Sequence, residues 1–343
     1  MKKLVKILIC VLIVVALGGI AFGGYVGYRV WLNKPYIINS YEEIYTQPVT
    51  TLQIGSDGLL NVLKINDTHL LDGECATDKR TLDGLKIILD KTPVDMVVVN
   101  GDLVDGFNLK PSYDKYQAID KFCTLLETYE TPWTFAPGNN DGEIDGTNRD
   151  VIAYMMRYDN FICGNVEDIY GDMQFFIDVK SGDALVHTIA IMDSGMRKPK
   201  ITGKYDYMHE TQIEWLLDGV NSRGVAASVF FHMQTPAFES AYYDGILYQN
   251  MPYGKTSDYD SIPKNKLFDD MTKDCEYIKL LSVGHQHGNA MTSYYEGRYY
   301  QLSSPSGYSA WYPDGFSPSC TLTIIDVNAV DTQDIYSFYN LSI

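Results

Sequence analysis

Five short apolar runs in this chain each give way to residues whose side chains can hold a cation. "VLKI" runs into Asn66-Asp67-Thr68-His69, "MVVVN" into Gly101-Asp102-Leu103-Val104-Asp105, and "WTFA" into Pro137-Gly138-Asn139-Asn140-Asp141. "SVFF" runs into His232, and "KLLSV" into Gly284-His285-Gln286-His287. Continuous apolar runs of this length read as strands buried on both faces. In open α/β sheets the C-terminal strand edge is where ligands bind, so the five ends can converge on one crevice.

Each end has a plain structural reading of its own. Asp67 suits a turn, Gly138-Asn139 suits another, and a lone His232 beside an apolar strand is more often a satisfied core histidine. The set says more. Four of six histidines lie at these ends, with only His187 and His209 elsewhere. Alternate residues of extended backbone point the same way, so His285 and His287 share a side. Asp, Asn and His without a thiolate offer oxygen and nitrogen ligands suited to Mn, Zn, Fe or Mg.

Between the runs lie helical patterns. Leu82, Leu85, Ile88 and Leu89 share one face before Pro93, and Tyr113 to Tyr129 carries a second amphipathic stretch ended by Pro132. Further helices are expected near Arg149 to Tyr158 and over Gln212 to Leu217, with "HTIAIMD" as another strand. The tail changes to strands alone, with a hairpin around Glu296-Gly297. Alternating strands and helices with an antiparallel tail predict a layered α/β domain with mixed sheets.

The first thirty residues are a different material. Ile7 to Tyr28 is an uncharged stretch of 22 residues behind Lys2, Lys3 and Lys6, with Tyr25, Tyr28 and Trp31 at its far end. That length crosses a hydrocarbon core, and the rings suit a membrane interface. Two readings stand. One is an uncleaved anchor with a cytoplasmic N-terminus and an exported body. The other is a cleaved signal sequence, for which Ala21-Phe22-Gly23 offers a small-x-small site. Length and the aromatic belt favour the anchor, a single-pass topology. The expected organisation is a basic tip over 1–6, an anchor over 7–28, a linker over 29–57 and one domain over 58–343. Gly19, Gly23 and Gly27 recur every fourth residue, a spacing that permits self-association of such helices.

Of 27 basic residues five precede Glu42, which leaves 22 against 44 acidic ones in the body. A body so acidic repels nucleic acid, and none is expected as a partner. Five body cysteines without a CxxC pair give neither a zinc knuckle nor an assignable disulfide framework.

In order, D-x-H, G-D-x-x-D, G-N-x-D, a lone H and G-H-x-H resemble the calcineurin-like metallophosphoesterase superfamily, over about residues 60 to 327. "QIEWLL" before His232 and "SSPSGYSAW" after the last motif look like its small purple-acid-phosphatase-like branch. The resemblance implies a four-layer α/β/β/α sandwich of two mixed sheets flanked by helices, and two divalent metal ions. One would be held by Asp67, His69, Asp102 and His287, the other by Asp102, Asn139, His232 and His285, with Asp102 shared. It also implies a phosphohydrolase that uses a metal-bridging hydroxide for in-line attack on a phosphorylated small molecule or other phosphoester or anhydride.

Two departures stand out. True purple enzymes resemble this pattern but place a tyrosine where this chain has Asp105, and they lack the histidine that His69 supplies. Most relatives also carry a histidine, thought to protonate the leaving group, where this chain has Asn140. Asn140 and Asp141 are therefore the candidate catalytic residues outside the ligand set, with Asp141, His209 or a metal-bound water as the alternative acids. A catalytically silent metal-binding ectodomain, serving adhesion or as a receptor, is the competing reading. Substrate choice is expected from loops such as Tyr242 to Ser261.

Overall fold

The computed structural model describes residues 2–32, 50–106, 113–142, 148–196, 205–248, 264–311, 317–329 and 335–343. Most of the linker expected over 29–57, and the substrate loop from residue 249 onward, lie outside them.

Among the described residues fourteen strands form two sheets. The eight-stranded sheet runs β1-β6-β7-β8-β10-β12-β11-β9 and the six-stranded sheet β14-β13-β2-β3-β4-β5. Here β1 is Thr50–Gln53, β2 Leu59–Ile65, β3 Met96–Val99, β4 Trp133–Phe135 and β5 Phe161–Ile162. Then come β6 Gln174–Ser181, β7 Ala184–Met192, β8 Ala227–Phe230, β9 Ile246–Leu247 and β10 Ile278–Val283. The hairpin expected at Glu296-Gly297 joins β11 Met291–Tyr295 to β12 Arg298–Leu302, and β13 Ser319–Asp326 and β14 Tyr336–Ser342 close the chain. Both sheets are mixed. β2, β3, β4 and β5 pair in parallel, whereas β13 is antiparallel to β2 and β14.

Period-two alternation builds the layers. Phe175, Ile177 and Val179 of β6, with Ile189 and Ile191 of β7, join the core between the sheets. Phe176, Ala190 and Met192 face the opposite way, into a second core with Ile213, Leu216 and Val220 of helix α5 (Glu210–Arg223). On the far side of the six-stranded sheet pack α2 (Ala76–Lys91) and α3 (Lys115–Glu127). The Asp114 carboxylate caps α3 by accepting from the Gln117 N–H at 3.0 Å. Shorter helices α4 (Asn148–Met155), α6 (Ala237–Asp244) and α7 (Leu267–Thr272) complete the outer layers. The result is the expected α/β/β/α sandwich.

One boundary moves. Thr50–Gln53, read as linker, adds β1 as an edge strand parallel to β6. At the N-terminus α1 spans Lys2–Leu32, and its stretch Val11–Tyr28 is long and apolar enough to cross a membrane. A signal sequence meets the same description.

Polar side chains stitch the sheets together just below the shared strand edge. Lys64, fully buried on β2, donates to Ser282 Oγ at 2.7 Å and to the Val283 carbonyl at 2.8 Å on β10. Asn100, at the end of β3, donates through Nδ2 to the carbonyls of Phe231 and Ser282 at 3.0 and 3.2 Å. Buried polar groups need such partners, and here the partners lie on the opposite sheet. The two sheets are thereby held together close to the ends of β2, β3 and β10.

Candidate metal centre

The loops after β2 and β3 continue side by side beyond the sheet. The N–H groups of Asp67, His69 and Leu70 donate to the carbonyls of Gly101, Asp102 and Leu103 at 2.9, 3.1 and 2.9 Å. Keeping that ladder while turning the side chains inward demands unusual backbone. Asp67, His69, Asp102 and His285 have φ of 50, 45, 51 and 73°, four of the seven non-glycine residues with left-handed backbone among those described.

Two clusters result. The ligand atoms of Asp67, His69 and His287 lie within 4.8 Å of one another, and so do those of Asp102, His232 and His285. The clusters interlock, because His69 Nε2 is 3.7 Å from Asp102 Oδ2 and His232 Nε2 is 3.9 Å from Asp67 Oδ1. Asn139 is buried on the loop that packs against Asp102, where a Cβ added to Gly138 would lie 2.2 Å from Asp102 Oδ1. Six of the seven residues named from the sequence thus meet in the two clusters, and the seventh abuts them.

The donor set fits two cations. Asn139 Oδ1 is buried without a hydrogen-bond partner, an arrangement that proteins rarely leave unfilled, and the buried His232 Nε2 is aimed at the Asp102 carboxylate, 3.3 Å from Oδ2. His69 Nε2 and His287 Nε2 face each other at 3.1 Å across the first cluster. The charges point the same way. Burial alone would raise the Asp67 carboxyl, but His232 and His287 outweigh it and hold it down to about 2. Burial likewise opposes charging His232, yet Asp102 and Asp67 push its imidazole up to about 10. The crevice demands positive charge from whatever occupies it.

Three of the four imidazoles are aimed by neighbouring groups, two of them main-chain carbonyls. His232 Nδ1 donates to the Asn100 carbonyl at 2.9 Å, and His287 Nδ1 to the Trp311 carbonyl at 2.5 Å. His69 Nδ1 stands 3.4 Å from Asp105 Oδ1. Such partners leave Nε2 free to face a metal and fix the ring. Asp105 was visible in the sequence as a departure; carbonyl partners carry no sequence signal.

The two candidate catalytic residues part company. The Asn140 side chain donates to Asp102 Oδ2 at 2.7 Å. Asp141 is fully buried, and its carboxylate accepts from the N–H groups of Asp102, Gly138 and Val104 at 2.8, 2.8 and 3.2 Å. Burial raises its pKa to about 6. Its oxygens hold the two ligand loops together. His209 stacks on Tyr170, ring centroids 3.7 Å apart, and caps α5. A third acidic group, Asp72, Cys75 and Asp78, is an occupied turn: Asp78 Oδ2 accepts from three backbone N–H groups and Asp72 Oδ1 from two.

The sequence model of calcineurin-like phosphoesterases matches residues 60–289, more than half of the chain. The chain belongs to the calcineurin-like phosphoesterase family. The match begins in β2 and ends just past His287, so it spans all five strand ends. The fold is similar to that of a dimetal phosphatase from Danio rerio, at 12% identity over 82% of this chain and 99% of that one, TM-score 0.54. Also similar is a purple acid phosphatase from yellow lupin (Lupinus luteus), at 12% identity over 84% of this chain and 54% of that one, TM-score 0.44. No curated protein matches the sequence. As a calcineurin-like phosphoesterase the chain is a metal-dependent hydrolase, and its Asp/His clusters suit two metal ions.

Proposed function

We propose that this calcineurin-like phosphoesterase is a membrane-anchored phosphohydrolase whose two metals share Asp102. Asp67, His69, Asp102 and His287 hold one ion; Asp102, Asn139, His232 and His285 hold the other. The observation that carries this reading is the interlocked pair of clusters beside the buried, unpartnered Asn139 Oδ1. When bound, two divalent ions supply Lewis acidity and an activated water.

The chain's own residues supply the rest. Asp67 and Asp102 bring two negative charges against four from the ions, and the neutral Asn139 preserves the surplus that attracts a phosphate. Asp141 holds the loops of Asp102 and Gly138 at fixed separation, and Asn100, Asp105 and Trp311 hold the imidazoles. Fixed donors of this kind need no rearrangement as charge develops. Asn140 is the side chain beside Asp102 toward the leaving group. Its amide can donate a hydrogen bond there and cannot give up a proton.

Residues 7–28 form the anchor, with residues 1–6 in the cytoplasm and the catalytic domain outside it. Long apolar stretch, basic tip and terminal aromatics support this. Gly19, Gly23 and Gly27 would pack one anchor on another.

The test is metal analysis of the purified full chain together with phosphate release from p-nitrophenyl phosphate. Two equivalents of metal, with turnover lost to a chelator and restored by Mn²⁺ or Zn²⁺, are expected. Two metals with no hydrolysis of any mono-, di- or anhydride substrate would leave the silent ectodomain instead.

A further inference from the structure

The mouth of the centre carries an aromatic side chain that the fold does not use. Trp311 is 69% exposed, whereas tryptophan ordinarily buries most of its large surface. Its main chain is held, since the carbonyl accepts from His287. The residues before it are pinned as well. The Tyr308 N–H donates to Thr81 Oγ1 at 2.9 Å, Ser309 Oγ donates to Asp78 Oδ1 at 2.9 Å, and the Arg80 guanidinium sits 3.8 Å above the Tyr308 ring. A ring presented on fixed backbone has little ordering left to lose when something stacks on it.

Position gives the indole its meaning. One imidazole, that of His287, separates the Trp311 carbonyl from the Asp67 carboxylate, with His287 Nε2 3.2 Å from Asp67 Oδ1. The Trp311 main chain thus stands one imidazole from the first cluster, and its exposed side chain belongs to the surface beside the centre. On the other cluster the Tyr205 ring lies 4.8 Å from that of His285, edge to face. Both clusters are thus flanked by an aromatic residue. The acidic body, 44 acidic residues in a chain of net charge −17, offers an extended anion little attraction. Uncharged contact is then a natural source of affinity beyond the phosphate.

We propose that Trp311 is a specificity-determining residue that stacks on an aromatic ring in the group attached to phosphate. The preferred substrates are then aryl phosphates or nucleotides cleaved at an anhydride, since Asn140 also favours a leaving group that departs as a stable anion. This proposal rests on the phosphoesterase reading.

The experiment uses the metal-loaded full chain in detergent and two pairs of substrates whose leaving groups all depart as stabilised anions, each preference being read as the change from wild type to variant. p-Nitrophenyl phosphate is compared with acetyl phosphate, and ADP with pyrophosphate; only the first of each pair carries a ring. Trp311→Ala is expected to cut the kcat/KM preference for the ring-bearing member about tenfold, through KM, as removal of a stacking aromatic does. Trp311→Phe is expected to recover most of it. The pair that moves separates an aryl from a nucleotide substrate. In parallel, phenylphosphonate and not methylphosphonate is expected to quench the emission of the wild type, an effect lost in Trp311→Ala. Equal preference ratios in wild type and Trp311→Ala, with equal quenching by both phosphonates, would overturn the proposal. A protein that cleaves none of the four substrates yet shows the phenyl-selective quench loses the phosphoesterase reading and keeps the stacking role.

Discussion

Asn140 holds both oxygens of Asp102. Its backbone N–H reaches Oδ1 at 2.8 Å and its side-chain amide reaches Oδ2 at 2.7 Å. A general acid contributes about 10²- to 10⁴-fold, most for poor leaving groups. Replacing Asn140 with histidine is therefore expected to raise hydrolysis of alkyl phosphates more than that of p-nitrophenyl phosphate. The ratio of the two rates, measured at equal metal content, checks it; an unchanged ratio means the proton comes from elsewhere.

Asp102 is the only carboxylate assigned to both ions. In Asp102→Asn the shared charge is gone, and so is an acceptor for Asn140. At least one equivalent of metal should be lost, together with activity by about three orders of magnitude or more. Elemental analysis beside turnover decides this. Full occupancy with near-normal rates would dismiss the shared-ligand assignment.

His187 offers a test of stability away from the centre. It is buried between the sheets, with a ring nitrogen 2.9 Å from Ser228 Oγ. Burial depresses its pKa to about 3. The unfolded chain takes up a proton near pH 6.5 that the folded chain refuses until about pH 3, so stability from this group is complete above pH 6.5 and lost as pH falls through that window. The full loss is roughly 4–5 kcal/mol, reached only at the acid end. His187→Gln is expected to flatten this part of the acid limb, read as denaturation midpoints at pH 7.5, 6 and 5. Parallel limbs in the two proteins would contradict it.

The anchor makes a prediction that sequencing can check. If residues 7–28 stay attached, the mature protein keeps Lys2 and Lys3 and partitions with membranes. A soluble product beginning near Phe22 or Gly24 would establish cleavage.

How much of this was legible beforehand depended on where the information sits. Buried parallel strands announce themselves as apolar runs, so β2, β3, β4, β8 and β10 were found together with the ligands at their ends. β6 is not among the expected strands: "QFFIDVKS" opens on four buried residues and alternates only in its second half, so it lacks a clean period-two signal. β1 has only four residues, and its strand character comes from pairing with β6 rather than from its own composition. Lys64 sat in plain view within "VLKI", where periodicity gives no reason for a buried amine; Ser282 and Val283, more than two hundred positions away, supply it. The orienting carbonyls of Asn100 and Trp311 are main-chain groups that every residue type carries. Only the fold can say which of them matter.

The left-handed backbone at Asp67, His69, Asp102 and His285 has a consequence for how this protein would respond to selection. Such a conformation costs an L-residue about 1–2 kcal/mol, and glycine adopts it freely. At these four positions the side chain that serves the centre is therefore at odds with the backbone that carries it. A library sorted only for folding of the metal-free chain would drift toward glycine here, losing one of the proposed ligands at each step. A library sorted for phosphate release would hold all four and accept a lower melting temperature.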